Sequence, residues 1–336
     1  MLGDSIESGK ALDKKSVVIV TPAAGQANNG NSHTATRWAQ FLSAHFDTRI
    51  ALSQQEVPTN ADLLIALHAR RSAVSIAQWH AQHPHKPILL VLTGTDLYRD
   101  IQTDASAQRS LELATALVVL QEQGLQELPA RHRAKAQVIY QSAPRLPTLD
   151  KPHHPFNVAM VGHLRDEKDP LTFLKAVERL AHRDRIEFHH YGQMLDSKFI
   201  APLSATGWRN ERYHWHDGVS PEAARTALQQ AHLSVLTSRM EGGAHVILES
   251  VMAGTPVIAS RVSGNVGMLG AGYDGYFEPG NAEELATLID RAEQDRDWLT
   301  HLQNQCAARA HLFEPQREQR AVCGLTHTLV GTAAKP

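Results

Sequence analysis

The run Ser238-Arg239-Met240-Glu241-Gly242-Gly243-Ala244-His245-Val246-Ile247-Leu248-Glu249-Ser250 decides the fold. It follows a short, apolar, β-branched stretch, His232 to Thr237, of the kind that forms a buried strand, and Gly242-Gly243 supplies the turn into a helix. In that helix Ile247, Leu248, Val251 and Met252 recur as one apolar stripe. At ~100° per residue Glu249 points more than a right angle away from the stripe, and His245 shares its side one turn earlier. A carboxylate on the polar side of a buried helix needs a partner.

Two glycines at a helix start leave backbone NH groups bare at the positive end of the helix dipole, a ready site for a phosphate or diphosphate. Glu241 and Glu249 flank that site, roughly 10 Å apart along the axis at ~1.5 Å per residue. The gap is too wide for a carboxylate pair sharing one reacting bond. It suits a ligand with a hydroxylated ring at each end and a diphosphate between, such as a nucleotide sugar. Taken alone, the two glutamates equally describe a helix-entry acid and a solvated surface acid.

Working outward, a chain of 336 residues accommodates two domains of roughly 150 residues each. The net charge of -2 gives no global pull toward nucleic acid or anionic membrane. Cys306 and Cys323 lie without metal or redox spacing, so a reducing cytoplasm is the expected setting. No apolar run is long enough for a membrane span, and the polar start, residues 1–15, reads as a loose extension without signal-peptide character.

Strands and helices alternate along the rest. Strands are predicted at 16–20, 48–52, 61–67, 86–92, 116–120 and 137–140, with a polar loop, 21–32, feeding a helix near 33–45. The stretch from Ser142 to Pro155 holds four prolines among polar residues and reads as a hinge. Beyond it come strands at 156–161, 186–191, 213–215, 232–237 and 256–259, helices near 170–181 and through 281–310, and a final helix near 315–329. The expected units are an N-terminal Rossmann-like domain, 16–150, a C-terminal one, 151–314, and a terminal helix and tail, 315–336.

Some patterns lead elsewhere. Gly270-Ala271-Gly272-Tyr273-Asp274-Gly275 matches G-x-G-x-x-G but runs into an aromatic strand-like stretch, so it is not a dinucleotide fingerprint. Asp295-Arg296-Asp297 sits between amphipathic helices, facing water. Of the 20 histidines, His214 and His216 share a strand face and His189-His190 lies on another strand. Without a third clustered ligand, these read as ordinary strand histidines. No metal ligand set is assigned, and no cofactor is called for.

Glu241 and Glu249, followed by Ala253-Gly254-Thr255-Pro256-Val257-Ile258-Ala259-Ser260, resemble the donor-site signature of retaining-type glycosyltransferases of family 4. The resemblance implies the GT-B architecture: two Rossmann-like α/β domains facing a cleft, with a C-terminal helix crossing back to the first. It also implies that Glu241 contacts donor-sugar hydroxyls and that Glu249 holds the ribose. The second donor element is Val161-Gly162-His163-Leu164-Arg165-Asp166-Glu167-Lys168-Asp169-Pro170, where the family reads Gly-Arg-Leu and then Lys. Lys168 matches, His163 occupies the Arg position, and Arg165 is favoured as the replacement cation because guanidinium stays charged. The implied catalytic set is Arg165, Lys168 and Glu241. The implied donor set is Gly162, His163, Gly242, Gly243, Ala244, His245, Glu249, Gly264 and Asn265.

The chain after Lys15 is similar over nearly its whole length to the selenosugar synthases of selenoneine biosynthesis, through Thr21-Pro22-Ala23-Ala24-Gly25, Gly30-Asn31 ahead of Arg37-Trp38, Ala66 to Ser72, Leu92 to Asp100 and Gln108 to Ala114, extended by Ser238 to Ala244, Gly264 to Gly267 and Gly275 to Phe277. The implied reaction transfers the sugar of UDP-N-acetylglucosamine to selenophosphate and releases UDP. Gly30, Asn31, His68, Arg70, Thr93, Gly94, Thr95 and Asp96 are the expected acceptor residues. Three of these phrases follow predicted parallel strands at their C-terminal ends, where α/β sheets place ligands. Alternatives are a family 4 transferase with a hydroxyl acceptor, for which Asp96 or His68 would be the base, and a catalytically silent nucleotide-sugar binding module.

Overall fold

The computed structural model describes residues 14–22, 30–53, 55 and 60–332. The extension to residue 13 and the part of the first polar loop at 23–29 lie outside them.

Six strands form the first sheet: β1 (Ser16–Thr21), β2 (Asp47–Leu52), β3 (Leu63–Leu67), β4 (Ile88–Leu92), β5 (Ala116–Val119) and β6 (Ala136–Val138). They run parallel in the order β2-β1-β3-β4-β5-β6. Every residue of β3 and β4 is buried, as expected for unbroken Leu, Ile and Val runs covered on both faces. The second sheet holds β7 (Phe156–Val161), β8 (Ile186–Tyr191), β9 (Tyr213–Trp215), β10 (Leu233–Leu236), β11 (Val257–Ser260) and β12 (Tyr276–Phe277). Its order is β12-β11-β10-β7-β8-β9, again all parallel.

In each sheet the strand order reverses at one point, and ligands of open α/β sheets bind outside the strand C-termini there. In the second sheet the reversal lies between β7 and β10, so it carries the Gly162 to Lys168 loop and the Ser238 to Gly243 loop. In the first it lies between β1 and β3, which places His68 at the corresponding position.

The Ser142 to Pro155 connection has no regular structure and is laced to the second sheet's layer. Leu146 NH donates to the Met252 carbonyl, and the Arg225 and Gln229 side chains donate to the carbonyls of Pro144 and Pro147. The Pro315–Thr332 helix crosses to the first sheet's side and packs beside the Gly30–Ser43 helix. Glu318, buried, accepts hydrogen bonds there from Arg37 Nε at 2.7 Å, Trp38 Nε1 at 2.7 Å and the Ser142 hydroxyl. Fixing a carboxylate among three donors offsets its desolvation and sets the angle of the crossing.

Some boundaries differ from the sequence expectation. The helix predicted from Gly242-Gly243 begins at His245, because the glycines form a bend packed against Thr93, Gly94 and Leu120 of the opposite domain. The first helix starts at Gly30 rather than near His33. Helices at Pro221–Gln230 and Ser263–Leu269 add to those predicted; the first is capped by Ser220, whose hydroxyl accepts from Ala223 NH. Asp295 caps the Arg296–Arg309 helix, which accounts for its acidic spacing. Among the described residues no helix is long and apolar enough to cross a membrane.

Candidate active site

Loop 162–168 and loop 238–243 are joined at the second sheet's reversal point. Thr237 Oγ1 donates to the Lys168 carbonyl at 2.8 Å, Arg239 NH to the Glu167 carbonyl at 2.9 Å, and Arg239 Nε lies 3.1 Å from Asp169. This lacing brings Lys168 Nζ to 2.5 Å from Glu241 Oε1, with both side chains mostly shielded from water. Of the two cations weighed for the diphosphate, Lys168 reaches Glu241, while Arg165 leans on Glu167 at 3.9 Å with half its side chain exposed. His163 Nδ1 accepts from Gln193 NH.

Glycine allows loop 238–243 to touch three neighbours. A Cβ on Gly242 would stand 2.5 Å from the Thr93 carbonyl oxygen and 2.8 Å from Gly94 Cα, and one on Gly243 would stand 2.7 Å from Leu120 Cβ. One on Gly264 would overlap the Glu241 carbonyl oxygen at 1.7 Å. Gly242 thus brings the donor loop against the predicted acceptor loop of the other domain. Among the described residues, the NH groups of Gly242, Gly243, Ala244 and His245 have no hydrogen-bond acceptor in the protein. They open the His245–Met252 helix toward the cleft.

On that helix Val246, Ile247, Leu248, Val251 and Met252 are buried, and His245 and Glu249 occupy the other side as expected. Crowding by protein pushes the Glu249 carboxyl up to about 7, with Arg225 and Arg37 opposing the rise. Burial likewise drives His245 well below its ordinary value, helped by Arg37, His33 and Lys168, so the ring is neutral. Its Nε2 is buried without a partner, as are Ser238 Oγ, Gln141 Oε1 and Asn265 Oδ1 on neighbouring segments. Orphaned polar atoms around one opening suit a polar ligand. The His33 ring lies 6.2 Å from His245, which puts the start of the Gly30–Ser43 helix, with Gly30 and Asn31, across the opening.

The acceptor loop is built differently from the expectation. Asp96 is fully buried; its Oδ1 accepts from the NH groups of Thr93 and Gly94, and its Oδ2 from Ala69 NH. It braces the loop from beneath instead of facing the cleft, because three backbone donors hold its two oxygens. His68, at φ 73°, takes Arg71 NH on Nδ1 and lies 3.1 Å from Thr95 Oγ1 through Nε2. Both ring nitrogens are thereby engaged, and burial lowers its pKa despite nearby Asp96 and Asp100. Arg70 and Arg99 each bond one oxygen of Asp100 and stay partly exposed. Asn265 is buried, with its amide NH₂ donating to Ser260 and its Oδ1 left without a protein partner.

The sequence reading left out Arg37 and Arg225, which set the field at Glu249, and Tyr98, whose hydroxyl lies 3.5 Å from Ser263 across the domain junction. Arg37 stands in a quoted phrase of the sequence, but nothing there signals its bidentate partner Glu318, 281 residues away.

Residues 147–312 match the family model described as glycosyl transferases group 1. The matched stretch is just under half of the chain and contains both the Lys168 loop and the Glu241 loop. A D-inositol 3-phosphate glycosyltransferase of Corynebacterium efficiens is 28% identical over 172 residues, 46% of this chain and 41% of that protein. The match thus spans about two fifths of the curated relative's length. Over the whole chain the fold is similar to Anabaena HepE, solved with UDP and glucose, at TM-score 0.74 and 14% identity, covering 94% of this chain and 100% of HepE. It is also similar to the sucrose-phosphate synthase of Thermosynechococcus elongatus, at TM-score 0.77 and 16% identity, covering 95% and 100%. Two parallel six-stranded sheets, the second within the stretch that matches the family model, and a long closing helix make the architecture GT-B.

Proposed function

We propose that the protein is a glycosyltransferase that binds UDP-N-acetylglucosamine in its C-terminal domain and transfers its sugar to selenophosphate, releasing UDP. The observation that carries the reading is the Lys168–Glu241 pair beside the unpartnered NH groups of Gly242 to His245. Lys168 and those NH groups offer positive charge to a diphosphate, Glu241 is placed for sugar hydroxyls, and Glu249 for a ribose. HepE, of the same fold, is described with UDP-glucose, which supports a UDP-sugar donor.

In the proposed reaction the selenium electron pair forms a bond to the anomeric carbon as the carbon–oxygen bond to the diphosphate breaks. UDP leaves with the electron pair of the broken carbon–oxygen bond. Growing charge on the diphosphate is what Lys168, Arg165 and the loop NH groups would stabilise. An anionic acceptor needs no deprotonation, and this agrees with Asp96 and His68 both being committed to protein partners. The exposed faces of Arg70 and Arg99, with Gly30 and Asn31 opposite, are the proposed seat for its phosphate oxygens. Neither a metal nor a further cofactor is invoked.

Mass spectrometry of products from the purified protein, UDP-N-acetylglucosamine and selenophosphate generated in place tests the reading. A selenium-bearing glycosyl product with equimolar UDP is expected. UDP release only with a hydroxyl acceptor would replace selenophosphate; no release with any acceptor would leave a binding module.

A further inference from the structure

On one face of β8 and β9 three histidines gather that the sequence presents on two separate segments. Parallel register sets His189 opposite His214, and His216 follows two residues on along the same face. Ring centres lie 5.2 Å apart for His189 and His214, 5.3 Å for His189 and His216, and 6.4 Å for His214 and His216. A tetrahedral ion about 2.1 Å from each imidazole nitrogen lies roughly 3.2 Å from each ring centre, which spaces neighbouring centres about 5.2 Å apart. His189 Nδ1 and His216 Nε2 share a hydrogen bond at 3.1 Å, near the roughly 3.4 Å between two nitrogens on such an ion, and an ion there would shift the shared proton to its ring's other nitrogen.

We propose that His189, His214 and His216 form a binding site for a borderline divalent transition-metal ion of the zinc class. In the present conformation the rings are stacked, at 24° and 27° to His189, and among the described residues no group of three His, Cys, Asp or Glu side chains is placed to hold a metal ion. Two of the three ring-centre separations match metal spacing and the third, at 6.4 Å, is longer, so binding requires the exposed His214 and His216 rings to turn about their side-chain bonds, His216 giving up its stack on Tyr191, and aim their nitrogens inward. Glu187 accepts from His214 Nε2 at 2.7 Å, leaving Nδ1 as the ligand and holding that tautomer, the usual carboxylate–histidine–metal arrangement. Imidazole donors suit Zn²⁺, Ni²⁺ and Cu²⁺, whereas Mg²⁺ and Ca²⁺ take oxygen. Bound there, the ion would staple the three-residue edge strand β9 to β8.

The test is calorimetric titration of the full chain with ZnCl₂ near pH 7.5, with Co²⁺ absorption as a second readout. Binding of one ion per chain at micromolar or tighter concentration is expected, lost by more than about tenfold in His189→Gln and in His216→Gln and by about tenfold in Glu187→Gln. His301→Gln, on a distant helix, should leave it unchanged, and circular dichroism checks that each variant is folded. Wild-type affinity in the His189→Gln/His216→Gln double variant, millimolar binding in the wild type, or a Co²⁺ spectrum identical in wild type and double variant would overturn the proposal.

Discussion

Lys168 Nζ and Glu241 Oε1, which come from different loops 73 residues apart, meet at 2.5 Å at the reversal point of the second sheet. Each neutralises the other in a place with little water, so neither can be removed without leaving a poorly solvated charge. Lys168→Met should lower kcat by on the order of a hundredfold with a smaller change in donor KM, since the ammonium acts most on charge that grows during departure. Glu241→Gln should lower turnover of the sugar nucleotide while sparing UDP affinity. Steady-state kinetics with UDP titrations checks both, and a change confined to KM in Lys168→Met would mean uniform ground-state binding.

Glu249 makes binding and stability respond to pH in opposite senses. Its folded-state value of about 7 lies above the ordinary 4.5, so the folded chain holds this proton longer than the unfolded chain does. Stability from this group is present below about pH 4.5 and is lost as pH rises through 7, on the order of 3 kcal/mol in all. Glu249→Gln should therefore be more stable than wild type at pH 8, with the gap closing below pH 5. Ribose hydroxyls donating to the carboxylate would favour its ionised form, so wild-type UDP affinity should rise between pH 5.5 and pH 8 and flatten in the variant. Chemical denaturation and calorimetry across pH measure the two effects.

Asp96 separates a braced loop from a catalytic base. An Asn at this position keeps one acceptor oxygen and turns an NH₂ toward backbone NH groups, so Asp96→Asn should cost about 1–3 kcal/mol of stability. Turnover should fall through loop misplacement, with an unchanged pH profile. Loss of a pH limb in the variant would instead identify Asp96 as a proton acceptor.

Gly264→Ala is expected to force the Glu241 carbonyl aside, destabilise the domain by about 1–3 kcal/mol and weaken donor binding. Gly207→Ala, within the Ile200–Arg209 helix with open space around it, should stabilise by up to about 1 kcal/mol. Thermal unfolding of the pair distinguishes steric overlap from a general effect of losing glycine.

Glu318→Ala should cost about 3–5 kcal/mol, because it strands the Arg37 guanidinium, the Trp38 NH and the Ser142 hydroxyl in a buried place. Urea denaturation checks the magnitude, and Glu318→Gln, which still accepts, should lose less.

Local pattern determined much of this protein. Apolar runs such as Ile88 to Leu92 read as buried strands, and the spacing of Ile247, Leu248, Val251 and Met252 fixes which side of their helix is buried. The Glu249 placement follows from that same periodicity, and the aromatic strand-like run after Gly270 to Gly275 rejects that pattern as a helix-opening loop. What tertiary structure decided is every relation that spans the sheets. Register between β8 and β9 gathers His189 with His214 and His216, whereas the sequence alone makes them ordinary strand residues. Asp96 reads from sequence as an acceptor residue, yet the chain folds its carboxylate inward onto NH groups of its own loop and of Ala69. Nothing in the sequence of the last helix pairs Glu318 with Arg37 and Trp38; the crossing does. Periodicity reports how each segment meets the interior. Which charges share a site depends on segments hundreds of residues apart being brought within a hydrogen-bond length, and packing alone determines that.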